Sequence, residues 1–292
     1  MNVGILYFGL DEFGLGHHYR CVQLAEKLEE DGHTVYMFSN FQFRRKLYFQ
    51  LRPHNEYDLY HVLYQCDLDW LVIDTPYYPD DFVFKHKDQL DFRILYLNSD
   101  KDYPQIDVNI IQGCLSGTHS GPQWVIVRKS LSDYQATVKT GLTFVFGGSE
   151  DSMDLLSNFT KYAKNEQAIL VGGKVPEKVT ENHIFTIPND DASFLGIMSS
   201  SSKAVIQFGM TAWELVYYGV PTYAFSPTTN HLRWAQAMEN EGLIKAYPDT
   251  GIPSSNQIME FINEPFEINE DSRSKLDTYA VDRIVELMED YA

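Results

Sequence analysis

Cysteine is scarce in this chain, with three in 292 residues: Cys21, Cys66 and Cys114. The number is odd and the spacing fits neither a disulfide framework nor a thiolate metal site. That excludes a disulfide-stapled scaffold and implies a reducing compartment. Basic charge is also short, since 23 lysines and arginines face 41 aspartates and glutamates, for a formal net charge of −18 and a pI near 4.8. A surface of that sign repels phosphate backbones and acidic lipids, so neither nucleic acid nor an anionic membrane is expected as a partner. Long hydrophobic runs are missing too. The N-terminal run from Val3 to Phe8 is too short for the hydrophobic region of a signal peptide and has no basic flank, and nothing later approaches a membrane span. The expected location is cytoplasmic.

What the chain does have is apolar and aromatic content, 44% and 14%, enough for a large core, and a length that suits two domains better than one. Short apolar runs alternate with amphipathic ones, the pattern of a parallel sheet covered by helices. In the first half, Val3–Phe8, His33–Phe38, Trp70–Asp74, Arg93–Leu97 and Val108–Ile111 read as strands, and 43–49 is weakly helical. A polar, glycine-rich loop runs from Gly113 to Pro122, and Ser132–Gly141 reads as a linker. The second half repeats the scheme, with strands at 142–146, 168–171, 183–187, 204–207 and 222–225 and a helix at 153–164. The expected architecture is α/β: two Rossmann-like doubly wound domains, 1–138 and 139–275, facing a central cleft. An amphipathic helix over 276–292 is expected to pack back on the first domain.

Gly14-Leu15-Gly16-His17-His18-Tyr19-Arg20 follows the first strand and precedes Cys21, Leu24, Ala25 and Leu28, whose three- and four-residue spacing marks one buried helix face. Strand, glycine loop and helix in that order place backbone N–H groups and a positive helix end at the C-terminal edge of a sheet, where an anion or an oxygen-rich ligand is favoured. The plainer reading of the glycines is a tight turn that lets the helix pack close to its strand. Asp74, Tyr77 and Tyr78 come just past a strand end and could face the same crevice as His17; a prolyl turn stiffened by tyrosines is the structural alternative. A second loop, Gly147-Gly148-Ser149, follows the first strand of the second half. A third motif, Gly209-Met210-Thr211-Ala212-Trp213-Glu214, opens a helix that closes at Gly219. Thr-x-x-Glu is a capping box on one reading. On the other, the first helical turn holds a diphosphate and the carboxylate accepts hydrogen bonds from a ribose diol.

Gly16-His17-His18-Tyr19-Arg20-Cys21 with Leu24-Ala25 resembles the G-H-x-x-R-C-x-x-L-A signature of the PseG family, UDP-2,4-diacetamido-2,4,6-trideoxy-β-L-altropyranose hydrolases, and of related spore-coat polysaccharide proteins. Phe146-Gly147-Gly148-Ser149 is similar to that family's G-G-S-D loop, with Glu150 where Asp is usual. Thr211-Ala212-Trp213-Glu214, Gly219-Val220-Pro221 and Asn230 resemble its T-x-W-E, G-x-P and N-Q elements, which MurG-like glycosyltransferases share. Gln123–Arg128 falls where the family has an arginine segment. The sequence departs from the family at Thr75-Pro76, at Phe208 and at His231, all on the ligand side.

The resemblance implies a GT-B fold and a UDP-sugar as ligand, with water attacking the anomeric carbon and His17 as general base, in surface-glycan biosynthesis. An imidazole suits that role, because its ordinary titration range reaches physiological pH. Gly14, Gly16, Arg20, Asp74, Tyr77 and Tyr78 are the expected sugar-side residues. Gly147, Gly148, Ser149, Gly209, Met210, Thr211, Glu214 and Asn230 are the expected nucleotide-side residues. No metal and no cofactor is called for. A GT-B glycosyltransferase and a nucleotide-sugar binding protein without turnover are the alternatives.

Overall fold

The computed structural model describes residues 1–8, 16–39, 48–50, 65–74, 90–145, 190–250 and 253–291. Gly14, Tyr77, Tyr78, Gly147, Gly148, Ser149 and the elements expected at 153–164, 168–171 and 183–187 lie outside them. The chain forms two compact units. One joins Met1–Arg128 to Thr278–Ala292, and the other is Lys129–Asp277.

In the first unit β1 (Asn2–Tyr7) leads into α1 (Gly16–Glu30), followed by β2 (Thr34–Ser39), β3 (Tyr48–Gln50), β4 (Trp70–Asp74), β5 (Arg93–Leu97), β6 (Val108–Gln112) and β7 (His119–Gly121). All pair in parallel, in the order β3-β2-β1-β4-β5-β6-β7. This is doubly wound: the chain runs outward from β1 in one direction, then returns to β4 on its other side. Alternation along β1 divides the core. Val3, Ile5 and Tyr7 join a cluster with Cys21, Leu24 and Leu28 of α1, while Leu6 and Phe8 pack with Phe38, Leu71 and Ile73 on the opposite face. With both faces covered, the strands read as continuous apolar runs, which is why they were legible. α1 stops where expected. Gly32 takes φ +87°, and Gly32 N and His33 N donate to the carbonyls of Glu29 and Leu28.

The second unit carries β8 (Leu142–Val145), α2 (Asp191–Ser200), β9 (Lys203–Gln207), α3 (Met210–Tyr217), β10 (Thr222–Phe225), α4 (Thr229–Asn240), β11 (Lys245–Ala246), α5 (Ser255–Asn263) and α6 (Glu270–Arg273). Its parallel sheet runs β11-β10-β9-β8. Phe144, Val205, Tyr223 and Phe225 pack one face against Ile258, Phe261 and Ile262 of α5.

The last helix, α7 (Ala280–Asp290), belongs to the first unit, and its Ala280, Ile284, Val285 and Met288 enter the α1 core. Arg283 Nη1 donates to the Gln123 carbonyl at 2.8 Å. The helix starts later than the pattern suggested. Leu276 lies in the second unit, where its N–H bonds the Arg273 carbonyl, and Tyr279 is 63% exposed. The first boundary also differs from the expected one. Residues 129–138 fall in the second unit, where Leu131 is buried and its carbonyl accepts from the Tyr218 hydroxyl at 3.1 Å. Among the described residues, no helix is long and apolar enough to cross a membrane.

Candidate functional site

β1 and β4 are neighbours in the sheet, and their last residues, Tyr7 and Asp74, stand side by side in register. The chain leaves β1 toward one flank and β4 toward the other, so this pair marks the switch point where open α/β sheets place their ligands. The first turn of α1 stands over it. His17, Arg20 and Cys21 share one face by helical spacing, and all three reach Asp74.

Asp74 is 0% exposed. Its Oδ1 accepts from Arg20 Nη2 at 2.9 Å and its Oδ2 from Arg20 Nε at 3.1 Å, a two-point clamp. Cys21 Sγ donates to Oδ2 at 3.6 Å. His17 Nδ1 lies 2.8 Å from Oδ1 and 3.1 Å from Arg20 Nη2. A carboxylate only accepts and a guanidinium only donates, so these contacts assign the tautomer. A lone pair on Nδ1 would face carboxylate oxygen at 2.8 Å, while Arg20 Nη2 already has Oδ1 as acceptor. Nδ1 therefore carries the proton and donates to Asp74. In the neutral ring the lone pair is then on Nε2.

Burial by itself would raise the Asp74 carboxyl, but the charge of Arg20 and then that of His17 outweigh it and hold the group well below the usual carboxylate range. His17 contributes charge only when protonated, whereas Arg20 is always charged, so the anion is secured by the arginine. Cys21 moves the other way, since burial pushes its thiol well up and the Asp74 charge adds to that. The His17 side chain keeps 16% of its surface exposed. The cluster is thus a buried ion pair that orients a partly exposed imidazole and fixes which nitrogen can take a proton.

Arg20 and Asp74 were expected to contact a sugar directly. Their side chains are 5% and 0% exposed and bond each other, and both also contact His17. Beside them, the buried Tyr7 hydroxyl lies 3.1 Å from His18 Nδ1, and the Arg128 guanidinium sits 4.7 Å from the Tyr19 ring centroid. The Cys21 and Tyr7 contacts were not read from the sequence. An arginine inside the apolar stripe of α1 was the available signal, because a buried guanidinium demands a carboxylate partner.

In the second unit, α3 and α4 begin at the C-terminal edge of the sheet, after the parallel strands β9 and β10. Gly209 is the N-cap of α3, in extended backbone; among the described residues it has no side-chain cap hydrogen bond, and a Cβ there would meet nothing within 4 Å. The capping-box reading of Thr211 and Glu214 is not realised, since the helix starts at Met210 and Thr211 already lies inside its first turn. Glu214 is buried, at 3% exposure, and Asn230 is exposed in the first turn of α4. An uncapped helix start beside open space is where an anion is stabilised electrostatically.

Comparison with solved structures places this architecture. The chain has a GT-B-like fold. Over 99% of its length it matches UDP-GlcNAc 2-epimerase from Neisseria meningitidis bound to UDP-GlcNAc, with TM-score 0.65, 12% identity and 100% of that chain covered. The S. aureus MnaA–UDP structure matches 99% of the chain and 96% of its own, with TM-score 0.66 and 11% identity. The glycosyltransferase SnogD from Streptomyces nogalater matches 99% and 95%, with TM-score 0.54 and 11% identity. No protein-family model and no curated protein sequence matches this chain.

Proposed function

We propose that this chain is an enzyme acting on a nucleotide sugar, and that its reaction is hydrolysis of a UDP-sugar to UDP and a free, modified amino sugar for surface glycans, as in the PseG-like proteins its motifs resemble. The observation that carries the proposal is the His17–Asp74–Arg20 cluster at the sheet's switch point, an imidazole oriented as a proton acceptor. In the reaction, Nε2 of His17 takes a proton from water as the water oxygen bonds the anomeric carbon. The bond from that carbon to the diphosphate oxygen breaks, and UDP leaves with the electron pair.

Gly14, Gly16, Tyr77 and Tyr78 are proposed on the sugar side. Gly147, Gly148, Ser149, Gly209, Met210 and Thr211 are proposed to meet the diphosphate with backbone N–H groups, Glu214 the ribose, and Asn230 sugar or phosphate. Amides aimed at the departing diphosphate stabilise charge that grows as the bond breaks. Glycosyl transfer, with His17 deprotonating an acceptor hydroxyl, is the second reading, favoured by the likeness to SnogD. Binding without turnover is less well supported, because His17 is held in a single orientation and the Tyr19 ring is engaged by Arg128.

Phosphorus NMR with a panel of nucleotide sugars, with and without hydroxyl acceptors, tests the proposal. UDP release without acceptor is the expected outcome. Release only with acceptor would replace hydrolysis by transfer, and shifted resonances without release would leave a binding protein.

A further inference from the structure

Ser226 is the first residue after β10. It is 4% exposed, and its hydroxyl has no hydrogen-bond partner among the described residues. A buried hydroxyl left unpaired is costly and calls for an explanation. Of the nearby buried or capping hydroxyls, Thr222 Oγ1 donates to the Val220 carbonyl at 2.7 Å, and Thr228 Oγ1 caps α4 by accepting from His231 N at 3.3 Å.

The surroundings of Ser226 supply the explanation. Gln207 pairs with Phe225 in register, and Phe208 N donates to the Phe225 carbonyl at 2.8 Å, so the exits of β9 and β10 are tied together. That sets Ser226 beside Phe208, two residues before α3 begins. Asp190, Thr228 and Asn269 cap α2, α4 and α6 with side-chain oxygens, whereas the N-cap of α3 has no side-chain hydrogen bond and, among the described residues, nothing within 4 Å of an added Cβ. An unpaired hydroxyl donor and a bare helix N-terminus on one sheet edge suit a ligand group that only accepts hydrogen bonds and carries negative charge.

We propose that Ser226 is a further phosphate-binding residue, its hydroxyl donating to a diphosphate oxygen of the nucleotide received at the N-terminus of α3. The inference rests on the nucleotide-sugar reading above. Phosphate oxygens are acceptors only, so they pair the serine donor and the helix amides together without a cation.

Calorimetric titration of the full chain with UDP and with uridine, for wild type and Ser226→Ala, tests this, alongside thermal melts with and without UDP. The substitution is expected to weaken UDP binding about tenfold, the size of one hydrogen bond to a charged group, and to leave uridine binding unchanged. Without ligand, Ser226→Ala is expected to melt at or above the wild-type temperature, since it removes an unpaired buried group, and to gain less from UDP than wild type does. Ser226→Cys keeps the volume with a weaker donor and is expected to fall between the two; it serves if the alanine variant folds poorly. Wild-type UDP affinity in both variants, an equal loss for UDP and uridine, or a lower melting temperature without ligand would overturn the assignment while leaving the nucleotide reading intact. A wild-type protein that binds neither UDP nor any other nucleoside diphosphate would overturn both.

Discussion

Replacing Asp74 by asparagine keeps the shape of the side chain and removes its charge. Arg20 is then buried without a counter-ion, and the Nδ1–H of His17 faces an amide that can turn either atom toward it. Turnover is expected to fall by about 100-fold or more with UDP affinity preserved, measured as separate kcat and binding constants, because tautomer control acts on the proton transfer and not on the nucleotide. Stability carries its own signature. The folded-state Asp74 carboxyl titrates below its unfolded value, so its contribution is present above the ordinary carboxylate range and is lost as pH falls through the folded value. In urea melts, the wild type is expected to lose stability more steeply than Asp74→Asn below about pH 4. For Cys21 the sign is opposite, because burial and the adjacent anion both disfavour thiolate. At about pH 8 a thiol reagent is expected to spare Cys21 in the native protein and to label it in urea. At this scale the placement of His17 at the strand exit was legible, because a histidine after a glycine loop there has few places to go. The true partners of Asp74 were not, since strand position alone does not reveal whether a carboxylate faces ligand or helix.

α3 contrasts an open end with an anchored one. Its N-terminus carries no side-chain cap. Its C-terminus is closed by Gly219 at φ +63°, whose N–H and that of Val220 bond the carbonyls of Val216 and Leu215, while Lys139 Nζ and Arg273 Nη1 donate to the carbonyls of Gly219 and Tyr217 at 3.0 and 3.1 Å. Gly219→Ala is expected to cost about 1 kcal/mol in chemical denaturation, from the left-handed backbone alone, since the nearest atoms to an added Cβ lie 3.8 Å away. The glycine stop and the opening at the Gly209 motif were readable from sequence, and the capping arrangement was not. Thr-x-x-Glu suits a capping box, but the chain enters the helix two residues earlier, at Gly209. Most strands were legible to within a residue because their apolar runs are continuous. β3, β7 and β11 were not, because two or three residues at a sheet edge give no period to read.

On the scale of the whole molecule, the first unit is discontinuous, and its core depends on a helix that arrives after the second unit is complete. Ile284 of α7 is 0% exposed within the α1 cluster, so Ile284→Ala is expected to destabilise the first unit by about 2–5 kcal/mol, read from urea unfolding by circular dichroism. The C-terminal amphipathic pattern announced that helix, but its boundary was blurred by Leu276, which buries itself in the other unit. The two-unit, doubly wound plan was visible in the alternation of runs. The turn-by-turn assignment of 129–138 was not, because short 3-10 turns such as Lys129–Asp133 leave no apolar signature.

The central claim is that His17 takes a proton while the second unit holds the nucleotide. Single-turnover phosphorus NMR of wild type and His17→Asn with the same UDP-sugar tests it most directly. The account expects the variant to bind the nucleotide sugar as tightly as wild type and to release no UDP. UDP release from His17→Asn at the wild-type rate would contradict it.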